Sequence, residues 1–279
     1  MAAARGGPNL GEERRKELAG TFQDGGEHYD RVRPGYPADS VEWLLGGRIP
    51  PHLRGGGGSG HPIESTGRTP PAVDVVDIGA GTGKFTGRLI ERGLNVVALD
   101  PSRDMLSQLD RRFPTARTIV GTAEEMDLPD ASMDAATVAQ AWHWCDPLRA
   151  STEIARVLRP GGLLGLIWNQ LDVSVPWVHR LSRIMHAGDV HRPHFRPVIG
   201  PEFTGLQSHL SGWAQPLTPP DIRELVKSRS YYLGADEASR MRVMANLRWY
   251  FREHLGHADD DVLQLPYLTQ TWRAHSVER

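Results

Sequence analysis

The chain has 279 residues, 39% hydrophobic and 24% charged, with a formal net charge of −2. That suits one elaborated domain with a core and gives no general electrostatic pull toward nucleic acid or an anionic membrane. No apolar run approaches the ~20 residues that span a bilayer, the N-terminus lacks a hydrophobic signal segment, and Cys145, the single cysteine, rules out an internal disulfide and a cysteine-based zinc site, so a cytoplasmic protein is expected.

Residues 1–20 are polar and glycine-rich and are expected to be disordered. The remaining residues, 21–279, read as one domain. Its opening segment, 21–50, begins T-F-Q-D-G-G-E-H-Y-D-R-V-R-P-G-Y-P. Pro34 and Pro37 forbid a continuous helix there, and Phe22, Tyr29 and Tyr36 are many aromatics for a mere tail. The segment is either a strap packed on the core or a lid over a bound cofactor. D-S-V-E-W-L-L at 39–45 predicts a short helix with Asp39 or Ser40 as its N-cap. Residues 51–70 contain G-G-G-G-S-G and are expected to form a flexible insertion.

A cofactor-binding core is expected over 71–170. It opens with V-D-V-V-D-I-G-A-G-T-G-K at 73–84. Val73, Val75, Val76 and Ile78 predict a buried parallel strand. Gly79, Gly81 and Gly83 then allow positive φ and bring backbone amides close to a ligand. A helix follows, with Phe85, Leu89 and Ile90 inward and its N-terminus toward the turn. N-V-V-A-L-D ends a second strand at Asp100, where a carboxylate accepts hydrogen bonds from ribose hydroxyls. Together these predict a nucleoside-containing cofactor on a doubly wound α/β sheet. Lys84 stands where a dinucleotide fingerprint has its third glycine, which disfavours a nicotinamide-dependent oxidoreductase.

The D-I-G-A-G-T-G turn with Asp77 two residues before its first glycine resembles motif I of the class I S-adenosylmethionine-dependent methyltransferases. Other stretches are similar to the type-11 branch of that superfamily: F-x6-Y-x3-R-P-x-Y-P at the start, T-A-E-E-M-D-L-P-D after the third strand and A-Q-A-W-H-W after the fourth, while L-R-P-G-G-x-L before the fifth resembles a structural signature of the whole superfamily. The resemblance implies a Rossmann-like, seven-stranded, mostly parallel sheet in the order 3-2-1-4-5-7-6 with helices on both faces. It implies S-adenosyl-L-methionine as cofactor, S-adenosyl-L-homocysteine as product and no metal. Carried onto matching positions, it places Asp77, Gly79, Ala80 and Gly81 at the methionine part and Asp100 at the ribose. Thr122, Ala123 and Glu124 fall at the adenine and Gln140 at the methyl-donor end. Thr122 stands where many relatives carry an acid. Tyr29, Arg33 and Tyr36 become lid candidates.

Between the second and third strands, P-S-R-D-M-L-S-Q-L-D-R-R-F predicts an amphipathic helix with Pro101 in its first turn. Trp142, His143 and Trp144 follow the fourth strand, at the carboxyl edge where ligands of open α/β sheets sit. Methyl transfer needs chiefly alignment and exclusion of water. If the acceptor must lose a proton, His143 is the best-placed base, since an unperturbed imidazole titrates near about 6.5. Trp142, Trp144 and Trp168 read as an aromatic rim for a planar acceptor or as core. Asp146 and Pro147 start a helix with Leu148, Ile154, Val157 and Leu158 apolar, which Pro160-Gly161-Gly162 stops; L-L-G-L-I-W-N makes the fifth strand.

Residues 171–279 read as an acceptor-side insertion followed by further helices and the closing strands. His186, His191 and His194 lack the helical spacing and glutamate of a zinc site, so they are not assigned to a metal. The expected partner is a small-molecule methyl acceptor, with no nucleic acid and no membrane, and the protein a monomer or homodimer. A non-enzymatic cofactor-binding relative is the other alternative.

Overall fold

The computed structural model describes residues 32–46, 73–186 and 195–277. The stretches 1–20 and 51–70, part of the segment 21–50, and Tyr29, His191 and His194 lie outside the described residues.

The apolar strands alternate between two buried faces, as a covered parallel sheet requires. In β1 (Asp74–Ile78), Val76 and Ile78 join one cluster and Val75 another. β2 (Asn95–Asp100) divides likewise, Val97 and Leu99 against Val96. So do β4 (Met133–Ala139) and β5 (Leu158–Leu171). β3 (Arg117–Val120) forms one edge, and β6 (Phe203–Leu217) forms the other. With β7 (Leu263–Ser276) the sheet has seven strands in the order 3-2-1-4-5-7-6. β1 to β5 are parallel and β7 is antiparallel to both neighbours. The order reverses between β1 and β4, which opens a ligand crevice at their carboxyl ends.

Helices cover both faces. α1 (Ala38–Leu45) lays Val41, Leu44 and Leu45 beside Phe85, the N-cap of the short α2 (Thr86–Ile90), and Leu89 within it. α3 (Arg103–Arg112) covers Ala98 with Leu106 and Leu109. α4 (Pro147–Val157) buries Ile154 and Val157 on the opposite face. A helical cap follows: α5 (Pro176–Ile184), α6 (Pro219–Lys227), α7 (Ser230–Leu233) and α8 (Glu237–Trp249), the last continuing into a π-turn over Tyr250–His254. Its core of Val178, Leu181, Ile222, Leu225, Leu247 and Phe251 merges with Leu171, Leu217 and Tyr267. Leu171 ends β5 and pairs with Tyr267, so the cap stands at the carboxyl edge of the parallel strands.

Local boundaries differ from expectation for physical reasons. α1 starts at Ala38 after Pro37, because the Asp39 carboxylate accepts from the Ser211 hydroxyl on β6 instead of capping the helix. α3 starts at Arg103, since Ser102 Oγ accepts from Met105 N; Pro101 lies before it. β5 begins at Leu158 because Pro160–Gly162 bulge out: Met133 faces Leu158 and Ala135 faces Leu163. Leu148 is 56% exposed, outside the apolar face of α4.

Candidate active site

The glycine turn is built by backbone and lashed to β2. Gly79 and Gly81 take φ of 68° and 56°, which a side chain resists. Gly79 N and Ala80 N both donate to Leu99 O, at 2.8 and 3.1 Å. Asp100 finishes the joint: Oδ2 accepts from Gly81 N at 2.9 Å and Oδ1 from Ser102 N at 2.8 Å. Burial pushes the Asp100 carboxyl up, and these two amides offset part of that. A Cβ on Gly79 would lie 2.5 Å from Ala141 Cβ, so this glycine also lets the turn touch the exit of β4.

Asp77 lies beneath the turn with no exposed surface. Its carboxylate accepts from Thr86 Oγ1 at 2.7 Å and Thr137 Oγ1 at 3.0 Å. Burial pushes its pKa up to about 7 against those hydroxyls, with the Asp100 charge adding to the rise. Here Asp77 braces the turn from inside the sheet.

At the exit of β4, Gln140 holds a left-handed φ of 58°, a conformation that a non-glycine residue keeps only where its surroundings enforce it. Its N donates to Ile167 O at 2.9 Å and its Nε2 to Asn169 O at 3.0 Å. Asn169 is buried and donates from Nδ2 to Gly35 O at 2.7 Å, while its Oδ1 accepts from Thr269 Oγ1 at 2.6 Å. Asn169 was not among the predicted site residues; its place at the end of the fifth strand was the available signal.

Gly121 N donates to Asp100 O at 3.3 Å and brings the next residues beside the turn. Thr122 is exposed there, Ala123 is buried, and Glu124 accepts from Asp146 N at 2.7 Å, tying this loop to the start of α4. Gly79–Gly81, Asp100, Thr122–Glu124 and Gln140 thus converge at the carboxyl ends of β1 to β4.

The aromatic residues divide. Trp142 is 5% exposed and donates from Nε1 to Val198 O at 3.0 Å; Trp168 is 3% exposed and meets Phe195 edge-on at 5.6 Å. Both belong to the core under the site, one of the two readings that the sequence leaves open. Trp144 is half-buried, with the exposed His143 ring 4.6 Å from it. The segment from Val32 to Pro37 runs as a strap. Arg33 Nε donates to Ser228 Oγ at 3.0 Å in the cap, Gly35 reaches Asn169, and the buried Tyr36 packs edge-on against Phe85 at 4.9 Å. Among the described residues no group of three metal-binding side chains converges, and His186 stacks on Tyr231 at 4.2 Å.

The model of a methyltransferase domain family matches residues 76–166, the span from β1 to β5. An uncharacterized methyltransferase of Mycobacterium tuberculosis is 40% identical over 261 residues, covering 93% of this chain and 97% of the relative. The chain belongs to the class I S-adenosylmethionine-dependent methyltransferases. A malonyl-[acyl-carrier protein] O-methyltransferase of Serratia marcescens is 34% identical over 127 residues, 40% of this chain and 50% of that protein. A solved structure from Anaeromyxobacter dehalogenans, described as a type II methyltransferase, shares the fold with a TM-score of 0.58 at 24% identity, over 88% of this chain and 97% of that one. No helix among the described residues is long and apolar enough to cross a membrane.

The methyltransferase's own residues fit the family's cofactor. A Cβ on Gly81 would meet nothing within 4 Å, so the turn has an open side. Each Asp100 oxygen accepts one amide and keeps lone pairs for a further donor.

Proposed function

We propose that this methyltransferase transfers a methyl group to a small-molecule acceptor by in-line displacement. What carries the reading is the pairing of the open face of Gly81 with the Asp100 carboxylate that binds its amide. In this arrangement Asp100 accepts from the ribose hydroxyls, Thr122, Ala123 and Glu124 border the adenine, and Gly79, Ala80, Gly81 and Gln140 hold the methionine end. When bound, the cofactor supplies an electrophilic methyl on a sulfonium whose sulfur leaves neutral, so the protein need not protonate it. The protein's task is alignment and exclusion of water. The half-buried Gly35, the buried Tyr36 and the Asn169 bracket favour that exclusion by closing one side of the strand ends. His143 takes a proton where the acceptor carries one. A carboxylate acceptor, the chemistry named for the Serratia relative, needs no base.

Calorimetry with S-adenosylmethionine and S-adenosylhomocysteine tests the cofactor assignment. Wild type binds both, and Asp100→Asn, which keeps the shape, binds at least about tenfold more weakly, or ~1.4 kcal/mol. Folded wild type without detectable binding would sink the reading. A metabolite screen following S-adenosylhomocysteine release then identifies the acceptor. There His143→Ala lowers kcat by about 10²-fold or more with cofactor affinity unchanged if His143 is the base; an unchanged kcat removes it from that role.

A further inference from the structure

The cap holds a groove of about 560 Å³ that the reading above does not use. Arg180 and Arg183 line it from α5, and Arg242 lines it from α8. His186, Tyr231 and Asn246 complete most of its wall. In a chain of net charge −2, three guanidiniums meeting at one small-molecule-sized groove is a local excess of positive charge.

Two of the three guanidiniums are held by neutral groups. Arg180 lies over the rings of Trp249 and Tyr250, at 5.5 and 5.6 Å from their centroids. Arg242 donates to Ser239 Oγ at 3.1 Å. Among the described residues none of the three forms an ion pair with a carboxylate. Asp236 feels the charge of Arg242, yet its carboxylate is engaged by Ser239 N at the start of α8. Neutral partners orient a guanidinium without cancelling its charge, which leaves its planar donors available to an oxyanion. Ordinary helix electrostatics accounts for part of this: Arg183 lies in the last turn of α5 and complements its dipole. It does not account for Arg242, which sits in the N-terminal half of α8. Tyr231, 43% exposed and stacked on His186 at 4.2 Å, gives the groove a flat aromatic wall.

We propose that this groove binds an oxyanion-bearing small molecule, a phosphate ester or polycarboxylate whose charged group sits among Arg180, Arg183 and Arg242. The proposal stands on the groove alone and does not depend on methyl transfer.

The test is calorimetry on the full chain at fixed ionic strength, with inorganic pyrophosphate and citrate as separate probes. The comparison is between wild type and Arg183→Gln/Arg242→Gln; Arg180 is left intact because its ring contacts support the cap. Saturable one-site binding of pyrophosphate that weakens at least tenfold in the double variant, with S-adenosylhomocysteine affinity unchanged in it, bears the proposal out with a phosphate ligand. The same result with citrate bears it out with a carboxylate ligand. Absence of saturable binding of either probe overturns it. Binding that survives in the double variant also overturns it, since the anion then sits elsewhere. Should the glutamine pair fold poorly, Arg183→Lys/Arg242→Lys, which keeps charge but loses the planar fork, still discriminates: unchanged pyrophosphate affinity there overturns the guanidinium assignment.

Discussion

Asp77 and Asp100 are drawn out of water and given two partners each, whereas Arg180, Arg183 and Arg242 stand in the cap and form no ion pair among the described residues. The first arrangement makes a rigid cradle in which every polar group has a fixed place. The second leaves charge at the surface, held by aromatic faces and a serine. The two regions should therefore answer mutation differently. The strand ends should be intolerant of single-atom changes, and the groove should tolerate loss of charge without loss of stability.

The largest effect is expected at Asp77. Asp77→Ala leaves the buried Thr86 hydroxyl without its acceptor and Thr137 with only the long contact to Val76 O at 3.5 Å, at about 1–3 kcal/mol for each group left unsatisfied. Urea unfolding measures it, and an unmoved midpoint would remove Asp77 from its role as brace. Its protonation adds a pH signature. Burial raises the group from 3.8 to about 7, so between those values the folded chain holds a proton that the unfolded chain has released. Stability from this group is full below the unfolded value and falls as pH rises toward about 7, by at most ~1.4 kcal/mol per pH unit. Asp100, also raised by burial, acts in the same direction. Asp77→Asn flattens the stability profile across that window. A profile as steep as wild type would assign the slope to other groups.

Next comes a paired test on the turn. Gly79→Ala forces a Cβ to within 2.5 Å of Ala141 Cβ at a φ of 68°. Overpacking of this kind costs about 1–3 kcal/mol, with backbone strain added. Gly81→Ala meets nothing within 4 Å and bears only the strain of its φ, about 1–2 kcal/mol. Its effect should appear instead in cofactor affinity, because its methyl enters the open side of the turn. Thermal unfolding and S-adenosylhomocysteine titration separate the two. Equal affinity in Gly81→Ala and wild type would mean that the open face is not the binding face.

A smaller change is expected at Asn169. Asn169→Ala frees Gly35 O and Thr269 Oγ1, about 1–3 kcal/mol of lost pairing, part of which water recovers at the strap. Hydrogen exchange should rise locally over residues 32–37; protection unchanged there would show that Tyr36 and Arg33 hold the strap without it.

The central strands β1, β2, β4 and β5 were legible because each carries an apolar run and because two buried faces demand such runs, whereas the edge strands β3 and β6 are largely exposed. The D-I-G-A-G-T-G turn and Asp100 were legible for the same local reason: a nineteen-residue separation carries the Gly81–Asp100 bond. What failed was side-chain direction across long separations. The brace under Asp77 depends on Thr137, 60 residues on and paired with it on the neighbouring strand. Trp142 reads as rim until its indole reaches Val198, 56 residues on. Asn169 gains its meaning from Gly35, 134 residues earlier. Spacing along one element reports none of these meetings. The cap groove is the same case: Arg180 and Arg183 share a helical face in sequence, but only the packing of α5 on α8 brings Arg242 to them.

The smallest expected effect is also the sharpest contrast with Asp77. Arg183 and Arg242 are exposed and form no ion pair among the described residues, so Arg183→Gln/Arg242→Gln should change stability by no more than about 0.5 kcal/mol. The sign should favour the variant at low ionic strength, where removing like charges from one groove relieves repulsion, and the gain should fade as salt screens it. Chemical denaturation at two salt concentrations measures both. A loss of 2 kcal/mol or so, independent of salt, would place these side chains among the cap's structural supports, where most large mutational costs arise. A small salt-sensitive gain would mean that the charge is kept at a slight cost to the fold, and its reason must then lie in what the groove binds.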